Sequence, residues 1–230
     1  MTRNLGQRGI LRLGFFLFFA ASASAQSYKA EMVNDPAPQE LSAEVRGALS
    51  DSALRVSGPQ VPICEIWLRK AIPASATPDQ GLGIAFGQIA DGTLVGAIRF
   101  PAASKDYRQQ DIKAGVYTLR YALQPVNGNH QGTSPYRDFL LASPAAADTA
   151  LATVTGNTLY NLSRRATGTG HPSVWCLLAA DSAPATLPGV AHIEDGDLWV
   201  VYFKAPLQPA GGAASSVTIG LVVTGHAPEA

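Results

Sequence analysis

The chain predicts an all-β fold, an antiparallel β-sandwich carrying one or two short helices. Three observations support this. About eight short runs alternate apolar and polar side chains with period two, turns rich in glycine and proline separate them, and only one early stretch shows clear helical spacing. Period two marks a strand because successive side chains point to opposite faces of a sheet.

The first 25 residues are set aside before the fold is considered. Arg3, Arg8 and Arg12 precede the short apolar core Leu13–Ala21, and Ala23-Ser24-Ala25 supplies a small-residue cleavage pattern, so residues 1–25 read as a bacterial-type signal peptide cut after Ala25. The apolar run falls short of the roughly 20 residues a membrane-spanning helix requires. Residues 26–230 are then expected to form a single sandwich domain with a short N-terminal helical lead-in, periplasmic or secreted. That lead-in is Gln39–Leu49, where Leu41, Val45 and Leu49 recur every fourth residue behind Glu40 and Glu44.

Strand evidence begins at Val61. Cys64, Ile66 and Leu68 share one face, with Glu65, Trp67 and Arg69 on the other. Leu82–Ile89 and Leu94–Phe100 flank Ala90-Asp91-Gly92, an Asp-Gly hairpin signal. Tyr117, Leu119, Tyr121 and Leu123 alternate with Val116, Thr118, Arg120 and Ala122; the aromatic and leucine face is expected to be core, with Arg120 looking outward. Phe139–Leu141 forms a short run, Asn157–Ser163 is open between strand and loop, and Ser173–Ala179 is a strand. Ile193–Trp199 reads as a hairpin apex leading into Leu198–Phe203. Val217–Thr224 closes the fold, and an unprotected closing strand would invite a partner at its edge.

The phrase Ile112-Lys113-Ala114-Gly115-Val116-Tyr117-Thr118-Leu119 resembles the turn-and-strand phrase of many exported immunoglobulin-like and transthyretin-like β domains. The resemblance implies a sandwich of one of those kinds and transfers no site residue.

Charge and composition narrow the function classes. The signal segment holds three of the 17 basic residues and none of the 17 acidic ones, which leaves the mature chain at −3. A chain of that charge has no general attraction for nucleic acid or anionic membrane, and no later apolar run is long enough for a transmembrane segment. The two cysteines, Cys64 and Cys176, each sit in an apolar run. In an oxidising compartment they form one possible disulfide; the other reading is two buried thiols acting as small hydrophobes.

No stretch reaches the specificity of a catalytic signature, and no catalytic residue, metal ligand set or cofactor is assigned. There is no H-E-x-x-H, C-x-x-C or G-x-S-x-G pattern. The weak ligand-binding candidates are His130, in a polar loop with glycine on either side, the Tyr136-Arg137-Asp138 run that follows it, and His171 beside Gly168-Thr169-Gly170. Loops at one end of a sandwich converge, so His130 and His171 are candidates for a shared rim. Trp67 and Trp199 are either a ring-binding platform or a second core under a covering segment. The first functional expectation is therefore an exported, non-enzymatic β-sandwich module of the cell envelope that binds a small ligand or an envelope protein. The alternative is an exported metal-binding protein or hydrolase using His130 and His171 with loop carboxylates.

Overall fold

The structure is a computed structural model that describes residues 28–126, 130 and 132–228. The expected signal peptide and its cleavage point lie outside the described residues. The elements run β1 (Lys29–Val33), α1 (Ala43–Ala48), β2 (Ala53–Ser57), β3 (Pro62–Leu68), β4 (Ile72–Ala74), β5 (Leu94–Phe100), β6 (Ser104–Lys105), β7 (Asp111–Ile112), β8 (Gly115–Leu123), β9 (Asp138–Pro144), α2 (Gly156–Thr167), β10 (Ser173–Leu178), β11 (Gly189–Ile193), β12 (Leu198–Pro209) and β13 (Ser215–Thr224).

These strands do not make the two-sheet sandwich that the sequence predicts. Ten of them form one open half-barrel sheet in the order β1-β2-β3-β5-β8-β9-β10-β13-β12-β11, with every neighbouring pair antiparallel. β4 adds to the lower end of β12 in parallel, and β6 pairs with β7 in a separate small sheet. The pairing that defeats the sandwich is that of β10 with β13, because β10 also pairs with β9 and so joins the run β1-β2-β3-β5-β8-β9 to β13-β12-β11. Alternation shows that a strand has a buried face; it is silent on whether successive strands lie in one sheet or two. Register shifts at Val56/Ser57, Leu94/Gly96 and Trp199/Val200 mark the irregularities at which such a sheet bends and coils.

Curvature brings strands from both halves of the order onto one core. Leu54 of β2, Ile66 of β3, Ile98 of β5, Tyr121 of β8, Leu140 of β9 and Phe203 of β12 belong to a single buried cluster on the concave side. The convex side is covered as well. Val45 of α1 and Leu49, which caps its C-terminus, pack with Trp67, Ala97 and Val116, so Trp67 is second-core material as one of the two readings held. Ser42 caps α1 by accepting from the Val45 N–H at 3.2 Å. Leu159 of α2 packs on Ala122 and Leu141.

Several local expectations change. Residues 82–89 form turns rather than the first arm of a hairpin, although Phe86 and Ile89 plug the concave core. The cause lies in close backbone approach: a Cβ on Gly87 would sit 1.8 Å from the Asp79 carbonyl oxygen. Asn157–Ser163 belongs to α2, whose buried Leu159, Ser163 and Ala166 fall on one helical face. β13 is an interior strand between β10 and β12, so the free edges of the sheet belong to β1 and β11. Near those edges Trp199 stacks between Tyr28 and His192, with centroids at 3.9 and 4.4 Å.

The disulfide is absent. Cys64 and Cys176 are both free and fully buried; Cys64 belongs to the concave core and Cys176 to a convex-side cluster, on strands separated by β5, β8 and β9. Burial pushes the Cys176 thiol up to about 12, which keeps it an inert hydrophobe rather than a reactive group.

Arg120 points away from the concave core, as expected, but it is fully buried. The segment after β9 folds over it. Its Nε and Nη2 meet the two Asp148 oxygens at 2.7 and 2.8 Å, and the remaining guanidinium hydrogens go to the carbonyls of Gly92, Ala150 and Ala152. All five donors are thereby used. Gly92 is required at this crossing: its φ is +82°, and a Cβ would lie 2.0 Å from the Val154 oxygen.

Candidate functional site

A pocket of about 230 Å³ opens on the convex side where α2, the β6–β7 turn and the β8–β9 loop meet over β8, β9 and β10. Each wall is held by identifiable bonds. The β6–β7 turn is built on Asp106, whose buried carboxyl accepts from the N–H groups of Arg108, Gln110 and Val174 and from the Gln110 side chain, at 2.8–3.0 Å. The Tyr107 N–H donates to the Val174 carbonyl, which locks the turn onto β10 and places Tyr107 and Arg108 at the pocket. Tyr160 and Arg164 come from consecutive turns of α2 and so share a face. Gly168, in the left-handed region at φ +67°, ends that helix, and Thr167 Oγ1 donates to the His171 carbonyl at 2.9 Å, fixing the turn that carries His171. Across the pocket, Gln124 donates to Thr133 Oγ1 at 2.8 Å and Thr133 to the His130 carbonyl at 3.0 Å.

The floor is apolar, made by Ala122, Phe139, Leu141 and Val174, while Arg108, Arg164, His130 and His171 stand around it. No Asp or Glu lines it among the described residues. His171 Nδ1 lies 2.9 Å from the Pro172 carbonyl oxygen, which assigns the proton of the neutral ring to Nδ1 and leaves Nε2 as acceptor. Burial holds this imidazole below its ordinary value; Arg108 and His130 push the same way, against the Pro172 carbonyl and Asp106. Burial likewise pushes the Tyr107 phenol up, with Cys176 adding to it.

His130 and His171 therefore share one pocket. Tyr136, Arg137 and Asp138 do not line it. The Tyr136 hydroxyl reaches Asp181 at 3.1 Å at the surface, and Arg137 donates through Nε to the Gln124 carbonyl at 2.9 Å. Asp138 is fully buried, where it accepts from the N–H groups of Ala85 and Phe86 and from the Tyr121 hydroxyl. Sequence reasoning missed Arg108, Tyr160 and Arg164. The available signal was the Leu159, Ser163, Ala166 spacing, which makes α2 a helix and sets Tyr160 beside Arg164.

Two larger recesses exist, of about 550 and 470 Å³. The first is rimmed by Arg69, Lys70 and Lys204, with Lys70 held by Asp51; neither brings together an apolar floor and buried polar groups left without partners. Among the described residues no group of three or more His, Cys, Asp or Glu side chains is placed to hold a metal ion, and no helix is long and apolar enough to cross a membrane. Comparison with protein-family models, with curated proteins and with solved structures gives no match.

Proposed function

We propose that this chain is an exported, non-enzymatic binding module of the cell envelope that holds a small organic ligand in the pocket between α2 and the β8–β9 loop. The observation that carries this reading is the pocket's construction. An apolar floor takes the body of a ligand, and a few convergent polar groups fix its orientation, which is the usual make-up of a ligand site. At about 230 Å³ the space lies below the roughly 300–1,000 Å³ of drug-sized sites, so the ligand is small. The N-terminal segment and the mature charge of −3 support export and give no basis for a nucleic-acid partner.

A metal or hydrolytic role draws on one observation, that His130 and His171 reach the same pocket. It lacks support for a third ligand, because Asp106, the acid among the described residues that acts electrostatically on His171, is committed to four hydrogen bonds.

One preparation tests both readings. Protein purified from its native compartment, denatured and extracted, is expected to release an organic molecule near one equivalent and no stoichiometric metal. Ala122→Phe fills the floor at a cost of about 1–3 kcal/mol from overpacking, and this variant is expected to release none. Stoichiometric zinc, copper, iron or nickel in the wild type, lost on His171→Ala, would instead establish the metal reading.

A further inference from the structure

We infer that the ligand of this pocket is a small organic anion, a carboxylate or phosphate monoester on an apolar body, gripped at its head by Arg108 and Arg164; this rests on the binding reading above. Two cations here are left with unused donors. The Arg164 Nε is buried with no hydrogen-bond partner among the described residues, and the guanidinium donates through Nη1 to the neutral Asn161 oxygen at 2.8 Å. The Arg108 guanidinium makes no ion pair or hydrogen bond among the described residues, while its backbone is pinned by Asp106.

A partly desolvated guanidinium without a counter-charge is costly, and three in this chain have one: Arg120 has Asp148, and Arg55 and Arg99 share Glu65, whereas Arg69 at the larger recess has no ion pair among the described residues. The pocket differs from Arg69's surroundings in bringing two such arginines beside one apolar floor, and no acid of the lining supplies what they lack. A carboxylate or phosphate does, because its oxygens match the fork of N–H donors that guanidinium presents. The head is single because both arginines stand beside a floor of Ala122, Phe139, Leu141 and Val174, which offers only apolar contact to the rest of the ligand. The space holds roughly eight water-sized groups at about 30 Å³ each, which suits a short chain or a single ring.

Calorimetric titration of the full mature chain with octanoate, octyl phosphate, benzoate and their neutral counterparts octanol and benzyl alcohol tests this. At least one anion is expected to bind roughly 10- to 100-fold more tightly than its neutral counterpart, the range a charged hydrogen bond contributes. Octanoate against octyl phosphate then distinguishes the two heads. Arg108→Gln and Arg164→Gln are each expected to remove about tenfold of the anion's affinity and to leave that of octanol unchanged. Arg108 sits on a surface turn, so its variant reads out even where Arg164→Gln perturbs α2. Binding of every anion no tighter than that of its neutral counterpart, or full anion affinity in both glutamine variants, would overturn the anion assignment while leaving a binding module. No binding of any probe, neutral or charged, together with no extracted ligand, would overturn the binding reading itself.

Discussion

Replacing Asp148 by alanine is expected to destabilise the fold by about 3–5 kcal/mol, since it leaves Arg120 charged, buried and without its partner. Arg120 and Asp148 are both almost wholly excluded from solvent, and Asp148 Oδ2 also accepts the Thr118 hydroxyl at 2.6 Å. The pair does more than neutralise itself. It clamps the Gly92, Ala150 and Ala152 carbonyls over the convex face of β8, and the clamped segment leads directly into α2. For a chain of this size the melting temperature is expected to fall by roughly 10 °C. Urea unfolding followed by circular dichroism measures the loss. In a double variant, Arg120→Met with Asp148→Leu, no charge is stranded, and it is expected to be at least about 1 kcal/mol more stable than Asp148→Ala alone. An Asp148→Ala midpoint equal to wild type would show that the clamp is not what holds this segment.

Asp138→Ala comes next, with an expected loss on the order of 3–4 kcal/mol. Its two oxygens accept at 2.8 Å from Ala85, 2.9 Å from Phe86 and 2.5 Å from the Tyr121 hydroxyl, all away from water. Alanine leaves three donors unsatisfied, each at about 1–3 kcal/mol before relaxation. It also frees the 82–89 turns, whose Phe86 and Ile89 fill the concave core. Asp138→Asn retains one acceptor and aims an amide N–H at a donor, so an intermediate loss is expected. Hydrogen exchange should localise the damage, with faster exchange at Ala85 and Phe86 than at α2. Uniform loss across α2 and the 82–89 turns would contradict the role given to Asp138.

These two acids show how far the sequence could be read. Both belong to the short list of polar residues that alternation cannot place: Asp138 opens a strand and Asp148 lies in a connection, and each gains its meaning from a segment 28–53 residues away. About half of the strands were legible, while β1, β2, β4, β6, β7 and β11 were not read as strands. β3, β5, β8, β10, β12 and β13 all fall on runs whose period-two pattern marks them, and Tyr117, Leu119 and Tyr121 face the concave core as the pattern requires. Their assembly was not legible, because a sandwich and a half-barrel bury the same alternating faces. What differs is whether β10 pairs with β13 as well as with β9, a long-range fact with no local signature. Cys64 and Cys176 illustrate the same gap: identical apolar surroundings in sequence, opposite faces of one sheet in space. Of the site, the two histidines were legible as loop residues near glycines, and their meeting in one pocket depends on how β8, β9 and β10 lie side by side. Arg108 and Arg164 were hidden because one stood in an undifferentiated polar stretch and the other at the end of a helix whose start has Thr155 without a side-chain cap.

The pocket on α2 is best tested by a titration of the ¹⁵N-labelled chain 26–230 with octanoate, following backbone amide shifts. Saturable shifts concentrated at Arg108, Tyr160, Arg164, His171 and Val174 are expected. Shifts centred instead on Arg69, Lys70 and Lys204, at the larger recess, or no saturable shifts at any octanoate concentration below its micelle threshold, would contradict the assignment of the ligand to this pocket.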